Sequence, residues 1–288
     1  MNTAEILNFA IHLPFLWIGL GLFGIWVIYW QIQGWLLSHR SGHYAPMISI
    51  LPRLLRWAVG CMAARIFVGP VRVIGFEKVK NFKGRLIVTP KHVIETDATL
   101  VARMARSWKV RFLMAIDQTA GLRGAPLAWM GAISVGYDKT NPALSAANAT
   151  KSAVETMTRE KDSVLLLFPE GKLDKPNILV RENFRAGAVR IAKACQAKCA
   201  HQDWHILPVD VQYECDPSKA TRFQRMLKRL HIPRGFLGNT VYGATVTFGD
   251  PIKVATLPDD ETQSMDQLFG AFVSLRGQSC DKSVPPTT

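Results

Sequence analysis

The feature that most constrains this chain is an apolar run near its amino terminus. Residues 13–30 read LPFLWIGLGLFGIWVIYW and contain no charged side chain. As a helix this run is about 27 Å long at about 1.5 Å per residue, close to the thickness of the hydrocarbon core of a bilayer. The only charged side chain before it is Glu5, so the basic leader of a secretory signal is missing and cleavage is not expected. We therefore predict a membrane-embedded helix.

The segment that follows, residues 38–70, is basic and carries no acidic side chain. By the positive-inside rule, this flank and all that follows it face the cytoplasm. Its stretch LPRLLRWAVGCMAARIFV suits a helix that lies among lipid headgroups. Two arrangements stay open: a spanning helix followed by a flat one, or a hairpin that dips into one leaflet. Buried core helices are disfavoured, because the first run is apolar on all sides. The arginines of the flank are Arg40, Arg53, Arg56 and Arg65.

From residue 71 onward, short β-like runs alternate with helical segments, which predicts an α/β domain with a mixed sheet flanked by helices. We assign residues 1–70 to a membrane anchor, 71–276 to the α/β domain and 277–288, which end in SVPPTT, to a disordered tail. The strand-like runs are VRVIGF, RLIVT, VRFLMA, AISVGY, SVLLLF, HILPVDVQY and VTFGDPI. Helices are expected around residues 98–107, 143–160, 184–199 and 266–276.

The net charge of +13 and the pI near 9.8 favour acidic partners, such as anionic lipid or a phosphorylated substrate. Nucleic acid is not favoured, because no zinc-finger spacing and no aromatic RNP-type strand accompanies the charge. A basic amphipathic segment, KATRFQRMLKRLHIPR, suits either an anionic membrane surface or a helix packed on the core.

The five cysteines are odd in number and lack the spacing of a disulfide scaffold, which favours a reducing compartment. Cys195 and Cys199, with His201 and His205 nearby, raise the alternative of a metal cluster. However, the preceding NFRAGAVRIAKACQ reads as an amphipathic helix. Buried cysteines on a helix are therefore the preferred interpretation, and no metal is predicted.

The first motif with chemical meaning follows the buried-strand run RLIVT. The sequence KHVIETD holds a histidine and an aspartate five positions apart, which on one helix would be about 140° apart. Pro90 ends the strand and Asp97 resembles a helix N-cap, so the chain bends between them and His92 and Asp97 can meet. In contact, the carboxylate orients the imidazole as a general base. The alternative is a capping aspartate and a histidine in a turn.

The second motif, SVLLLFPEGK, is a buried strand stopped by proline. Gly171 permits a tight turn with exposed backbone N–H groups and Lys172 adds a positive charge. This combination suits a phosphate, or a hydroxyl held by Glu170, and the alternative is a simple turn. No G-x-S-x-G sequence is present, so a serine nucleophile is not indicated.

In order and spacing, the HxxxxD of KHVIETD, the later GAISVGYDK, the FPEG of LLLFPEGK and ILPV resemble the four blocks of the 1-acyl-glycerol-3-phosphate acyltransferase family over residues 71–250. The resemblance implies a membrane-bound enzyme that moves an acyl chain from acyl-CoA or acyl carrier protein to the free hydroxyl of a lysophosphatidate, yielding phosphatidate. It implies that His92 is the base, that Asp97 orients it, and that the FPEG block with Glu170 and Gly171 helps bind the glycerol phosphate. No metal and no tightly bound cofactor is implied.

The second block departs from the family pattern. The family usually carries an arginine there for the substrate phosphate, and Tyr137 stands at that place, with Lys139 two residues on. Lys139, Lys172 and Arg185, which opens the helix after the FPEG turn, are the predicted phosphate contacts. Two alternatives stay open: the acceptor is glycerol 3-phosphate, a lysophospholipid or an aminolipid, or the protein is a non-catalytic membrane protein that binds anionic lipid.

Overall fold

In this computed structural model, the described residues are 3–45, 50–93, 97, 100, 106, 108–119, 124–136, 140–160, 162–171, 178–216, 218, 222, 225–226 and 241–281. The helices are α1 (Thr3–His39), α2 (Ile50–Phe67), α3 (Gly124–Met130), α4 (Pro142–Arg159), α5 (Gly187–Lys198) and α6 (Glu261–Asp281). The strands are β1 (Val71–Ile74), β2 (Arg85–Pro90), β3 (Lys109–Ala115), β4 (Ala132–Val135), β5 (Ser163–Leu166), β6 (Trp204–Glu214), β7 (Gly243–Phe248) and β8 (Ile252–Lys253).

The strands form one mixed sheet, which confirms the predicted α/β class. Their order is β1-β7-β6-β2-β5-β3-β4, with β8 beside β6. The pairs β6–β7 and β6–β8 are antiparallel, and the other pairs are parallel. The central strands β2 and β5 are buried along their whole length. This burial on both faces explains why RLIVT and SVLLLF are uninterrupted apolar runs.

The sheet separates two apolar cores, because side chains along a strand alternate between its faces. On β2, Leu86 and Val88 belong to one core and Ile87 to the other. The core that contains Ile87 is completed by α4, α5 and α6, with side chains that include Met157, Ile191 and Phe272. The core that contains Val88 is completed by the carboxyl end of α1 and by α3, through Leu37 and Ala128.

Helix α1 includes the whole predicted apolar run and continues to His39. Its segment Trp17–His39 is long and apolar enough to cross a membrane. Large side chains along it, such as Trp17, Phe23 and Ile28, are exposed. An apolar surface of this extent needs a lipid or protein partner to cover it.

The carboxyl end of α1 packs into the α/β domain. Leu37 is fully buried in the core that contains Val88. A Cβ on Gly34 would lie 2.3 Å from the backbone nitrogen of Ala125 in α3, so the close approach of the two helices requires glycine at this position. The last turns of α1 therefore belong to the domain core.

The chain that leaves α1 joins the edge of the sheet. Tyr44 forms an antiparallel bridge with Ile133 of β4. The N–H of Ser134 donates to the carbonyl oxygen of His43 at 2.9 Å, and the N–H of Gly42 donates to Ser134 O at 2.6 Å. Residues 42–44 thus connect α1 to β4 through backbone hydrogen bonds.

Helix α2 corresponds to the predicted basic segment that follows α1. Leu54 and Met62 are exposed, as expected for a helix at a membrane surface. Arg56, in contrast, is buried, and its Nη1 donates to the carbonyl oxygen of Trp129 in α3 at 3.0 Å. This arginine attaches α2 to the domain and is not available to lipid headgroups.

The predicted carboxyl-terminal boundary is corrected by the structure. Helix α6 continues to Asp281, so residues 277–281, assigned to the tail, are helical. Gly277, the first residue of the predicted tail, lies inside this helix. A Cβ at this position would have no neighbouring atom within 4 Å. Residues 282–288 lie outside the described residues, as do most of the predicted helix 98–107 and most of the basic segment 219–234.

Candidate active site

The site predicted from the sequence lies where β2 and β5 end side by side. The two strands are parallel neighbours, so the loops that leave them emerge at the same edge of the sheet. The ladder continues beyond each strand: Lys91 N–H donates to Val209 O at 3.0 Å, and Leu167 N–H donates to Val88 O at 2.9 Å. These bonds fix the beginnings of both loops relative to each other.

His92 and Asp97, the predicted base and its orienting carboxylate, are in contact across the bend after β2. Nδ1 of His92 lies 2.9 Å from Oδ2 of Asp97, and the same oxygen accepts the N–H of Val93 at 2.8 Å. The side chain of Asp97 is 2% exposed and that of His92 is 20% exposed. The imidazole therefore turns Nδ1 toward the buried carboxylate, which leaves Nε2 for a group that enters the site.

Tyr213 also contacts the pair, and the sequence reasoning missed it. Its hydroxyl donates to Oδ1 of Asp97, the oxygen that His92 does not use. Tyr213 is the last residue of the predicted strand run HILPVDVQY. A polar side chain near the carboxyl end of a strand parallel to β2 was the available signal, because such ends share the site edge.

Phe168 fixes the plane of the imidazole. Its ring stacks on that of His92, with the ring centroids 3.9 Å apart and the planes 20° apart. The phenylalanine of the FPEG turn thus contributes to the site through the histidine.

Glu170 lies beneath the site and does not face its opening. Its side chain and that of Lys91 are both 0% exposed, with Lys91 Nζ 2.8 Å from Glu170 Oε1. Glu170 Oε2 accepts the backbone N–H of His92 at 3.2 Å. Burial raises the pKa of Glu170 and outweighs the opposing effect of Lys91. These contacts place Glu170 to hold the backbone of His92 instead of a substrate hydroxyl. Lys91 is a second residue that the sequence reasoning missed.

Gly171 and Arg185 form the exposed corner next to this pair. Gly171 has φ 62°, in the left-handed region, and its N–H donates to Phe168 O at 3.1 Å, as expected for the predicted tight turn. Arg185 N–H donates to Pro169 O at 2.8 Å. The Cδ of Arg185 lies 3.5 Å from where a Cβ on Gly171 would be, and the side chain is exposed. An exposed arginine side chain therefore lies beside the FPEG turn.

Some predicted site residues lie outside the described part of the chain, so their positions stay predictions. The residues that the structure brings to one edge of the sheet are His92, Asp97, Glu170, Gly171 and Arg185. The residues outside the description are Tyr137, Lys139 and Lys172.

The cysteines considered as metal ligands have an ordinary packing role where they are described. Cys195 is buried on α5, and burial raises the pKa of its thiol to about 12. Among the residues that the structure describes, no group of three or more His, Cys, Asp or Glu side chains is placed to hold a metal ion. Cys195 instead packs in the core that contains Ile87.

Chemically, the described part of the edge offers a base, with an arginine on the neighbouring turn. A neutral imidazole whose Nδ1 proton is held by a buried carboxylate can take a proton at Nε2 from an entering hydroxyl. Arg185, exposed beside Gly171, carries a planar donor set suited to phosphate or carboxylate.

Known proteins resemble this one in sequence family and in fold. Residues 70–212 match the model of the Acyltransferase family. The fold is similar to that of the 1-acyl-sn-glycerophosphate (LPA) acyltransferase PlsC from Thermotoga maritima, with a TM-score of 0.55 and 13% sequence identity. That alignment covers 98% of this chain and 100% of the Thermotoga protein. No curated protein sequence matches the chain. The predicted resemblance to acyltransferases is therefore confirmed at the level of the Acyltransferase family model, whose matched residues include His92 and Glu170.

Proposed function

Because residues 70–212 match the Acyltransferase family model, we propose that the protein is a glycerolipid acyltransferase that acylates 1-acyl-glycerol-3-phosphate to give phosphatidate. The acyl donor is a thioester, acyl-CoA or acyl carrier protein. The observation that carries this proposal is the hydrogen bond of 2.9 Å between His92 Nδ1 and Asp97 Oδ2 at the sheet edge. This bond prepares Nε2 to accept a hydroxyl proton.

In the proposed reaction, His92 Nε2 accepts the proton of the acceptor hydroxyl while the hydroxyl oxygen attacks the thioester carbonyl. A C–O bond forms and the C–S bond breaks. The thiolate leaves and takes the proton back from His92, so that free thiol and ester are the products. Asp97 keeps the imidazole in the productive tautomer and offsets its transient charge. The acceptor oxygen is itself the nucleophile, so no acyl-enzyme intermediate is needed.

The anionic group of the acceptor is assigned to the Gly171–Arg185 corner. Arg185 is exposed beside the turn, where a guanidinium can pair with two phosphate oxygens. Glu170 is assigned no substrate contact, because its carboxylate is held by Lys91 and by the His92 backbone. Lys139 and Lys172 remain candidate phosphate contacts on sequence grounds.

A membrane location is part of the proposal. The exposed apolar surface of α1 and the exposed Leu54 and Met62 of α2 suit insertion into lipid, where the acceptor and the product reside. We place the α/β domain on the cytoplasmic side because of the basic flank after α1. Arg40, Arg53 and Arg65 support this orientation, whereas Arg56 is buried and does not contribute.

The test is an acyl-transfer assay with the purified full-length chain in detergent. The labelled acyl donor is either acyl-CoA or acylated acyl carrier protein. Each donor is tested with a panel of acceptors: lysophosphatidate, glycerol 3-phosphate, lysophospholipids and aminolipids. We expect labelled phosphatidate. His92→Ala and Asp97→Asn should each lower turnover by at least about 100-fold, the contribution expected of a general base. His201→Ala, which alters an exposed histidine on the loop before β6, serves as the matched control and should leave turnover unchanged.

Two outcomes contradict the proposal in different ways. Transfer to another acceptor that still depends on His92 keeps the reaction type but replaces the lysophosphatidate assignment. Full function in the His92→Ala variant excludes the catalytic proposal and leaves a non-catalytic protein that binds anionic lipid. Circular dichroism and a thermal melt of each variant show whether a lost activity reflects a lost fold.

A further inference from the structure

The carboxylate of Asp97 is hydrogen-bonded on both of its oxygens. Oδ2 accepts from Nδ1 of His92 at 2.9 Å and from the N–H of Val93 at 2.8 Å. Oδ1 accepts from the hydroxyl of Tyr213. Asp97 is 2% exposed, so these donors replace the water that would otherwise solvate its charge.

The sheet itself brings Tyr213 to this carboxylate. Strand β6 pairs with β2 as far as Val209 opposite Pro90 and then continues to Glu214, so its last residues run past the end of β2. Val209, Val211 and Tyr213 lie on one face of β6 because side chains alternate along a strand. The two valines are buried in the core that contains Val88, and the Tyr213 ring packs against the same core. The ring is thus held by packing with its hydroxyl at Asp97.

Resting on the proposed acyl transfer, we infer that Tyr213 is a positioning residue for the His92–Asp97 pair. Its hydroxyl fixes the orientation of the carboxylate and withdraws part of its negative charge. With this donor, Asp97 holds the Nδ1 proton without over-stabilising the doubly protonated imidazole. Without this hydroxyl the carboxylate would stabilise a protonated imidazole more strongly, so a variant that lacks it is expected to need a higher pH before His92 can act as a base.

Other charged groups lie near the pair in the part of the chain that the structure describes. The pair beneath His92 is neutral overall, because an ammonium faces a carboxylate at 2.8 Å. The acidic group on the opposite face of β6 is held by a guanidinium at 2.6 Å. The groups concerned are Lys91 with Glu170, Arg185 beside Gly171, Glu214 at the end of β6, and Asp210 with Arg276. A Tyr213→Phe substitution removes none of these charges.

The experiment measures acyl transfer by Tyr213→Phe over a range from about pH 5 to about pH 9. We expect kcat to fall about tenfold with the KM for the acceptor unchanged, because Tyr213 acts on the base and not on the substrate. We also expect the pH at which kcat/KM is half-maximal on the acid side to rise by about half a unit. Tyr44→Phe is the matched control, since it removes a hydroxyl that contacts Arg159 at 3.5 Å, at the β4 edge of the sheet. It should change neither value.

A double-mutant cycle separates positioning from general packing. In the Asp97→Asn background, Tyr213→Phe should lower the remaining kcat by less than about twofold, because the residue it acts through is already altered. A further tenfold loss there overturns the inference. So does a Tyr213→Phe variant that melts at a lower temperature while the pH at which its kcat/KM is half-maximal on the acid side stays at the wild-type value.

Should Tyr213→Phe fail to fold, the wild-type chain labelled with 3-fluorotyrosine gives the answer. A fluorophenol is a stronger hydrogen-bond donor, so the pH at which kcat/KM is half-maximal on the acid side should fall. An unchanged or higher pH of half-maximal kcat/KM overturns the inference. Failure of the proposed function looks different: the wild type shows no transfer, or His92→Ala retains it. That result also overturns the inference. Transfer that needs His92 but is indifferent to Tyr213 overturns the inference alone.

Discussion

The two ends of β5 each carry a glutamate in an ion pair, and the pairs differ. Before the strand, Glu160 receives two hydrogen bonds from Arg111, of 2.9 Å from Nε and 2.5 Å from Nη2, and one of 2.5 Å from Ser163. After the strand, Glu170 receives one contact of 2.8 Å from Lys91 and one of 3.2 Å from the His92 backbone. One end holds a planar two-point pair, the other a single ammonium.

The pKa values of the two glutamates shift in opposite directions. Burial acts to raise the pKa of Glu160, but the hydrogen bonds and charge of Arg111, with Ser163, outweigh it, so the pKa is lowered. At Glu170 burial prevails over Lys91 and the pKa is raised. A guanidinium satisfies both oxygens of a partly exposed carboxylate, whereas one ammonium does not fully compensate a carboxylate that is completely buried.

The difference is consistent with the proposal that the carboxyl end of the strand serves the chemistry. At the amino end, the Arg111 guanidinium also lies 4.9 Å from the centre of the Tyr44 ring, so the pair joins β3, α4 and the segment after α1. At the carboxyl end, Glu170 accepts a hydrogen bond from the backbone N–H of His92. In open α/β sheets the carboxyl edge carries the site, and here it retains the costlier ion pair.

The largest effect is expected from Lys91→Met, which breaks the pair at the carboxyl end. Glu170 is left buried without its cation, so the free energy of unfolding should fall by about 3 kcal/mol. Acyl transfer should fall by at least about 100-fold, because the loop that carries His92 loses its support and small displacements are costly. Chemical denaturation and the transfer assay measure the two effects. The double variant Lys91→Met with Glu170→Gln should recover stability but not activity, and wild-type transfer by the single variant would contradict the positioning role.

A smaller effect, on stability alone, is expected from Glu160→Gln at the amino end. The fully buried Arg111 loses a charged partner, so the free energy of unfolding should fall by about 2 kcal/mol. Turnover per folded molecule should stay within about twofold of wild type, because Glu160 is remote from the His92 edge. Glu170→Gln is the matched substitution at the other end and should lower turnover. Equal loss of turnover in both variants would show that the two ends do not divide the roles.

The smallest effect is the pH dependence of stability, and its sign differs between the ends. Glu160 has a lowered pKa, so its contribution is complete above its ordinary value of 4.5 and is lost as the pH falls through the lowered value. Glu170 has a raised pKa, so its contribution is complete below 4.5 and is lost as the pH rises to the raised value. Melting temperatures are measured between about pH 3 and about pH 7. In Glu160→Gln, the fall in melting temperature as the pH is lowered below 4.5 should become smaller. In Glu170→Gln, the fall in melting temperature as the pH is raised above 4.5 should become smaller. Parallel curves in the two variants would be the contrary result.

The His92–Asp97 contact was predictable because it depends on local signals only. A buried-strand run, Pro90 and a capping aspartate together require a bend, and the bend brings the two side chains together. Tyr213 was not predictable, because its approach depends on the register of β6 against β2, which the sequence does not specify. The burial of Glu170 was missed for a similar reason: its turn reads as an exposed corner, and only the position of Lys91 shows that the carboxylate points inward.

The helical segments before the sheet show a second limit. The apolar run at residues 13–30 predicted a membrane helix, but it did not show that the same helix extends to Leu37, which is buried in the domain core. Arg56 was counted with the basic flank, although it contacts α3. Single positions inside a segment can thus depart from the segment's average, and only tertiary packing decides which ones do.

The close approach of α1 to α3 at Gly34 joins the helix that we propose to insert into lipid to the α/β domain. A truncated form that begins after residue 45 would lose Leu37 from the core and the Tyr44 bridge from β4. Any gain in solubility from the truncation would therefore be accompanied by a less stable edge of the sheet. Residues 42–44 connect the end of α1 to β4 through backbone hydrogen bonds, so under the proposed membrane location the fold itself sets the distance of His92 from the lipid. We expect an enzyme held in this way to act on hydroxyls at one depth of the headgroup layer.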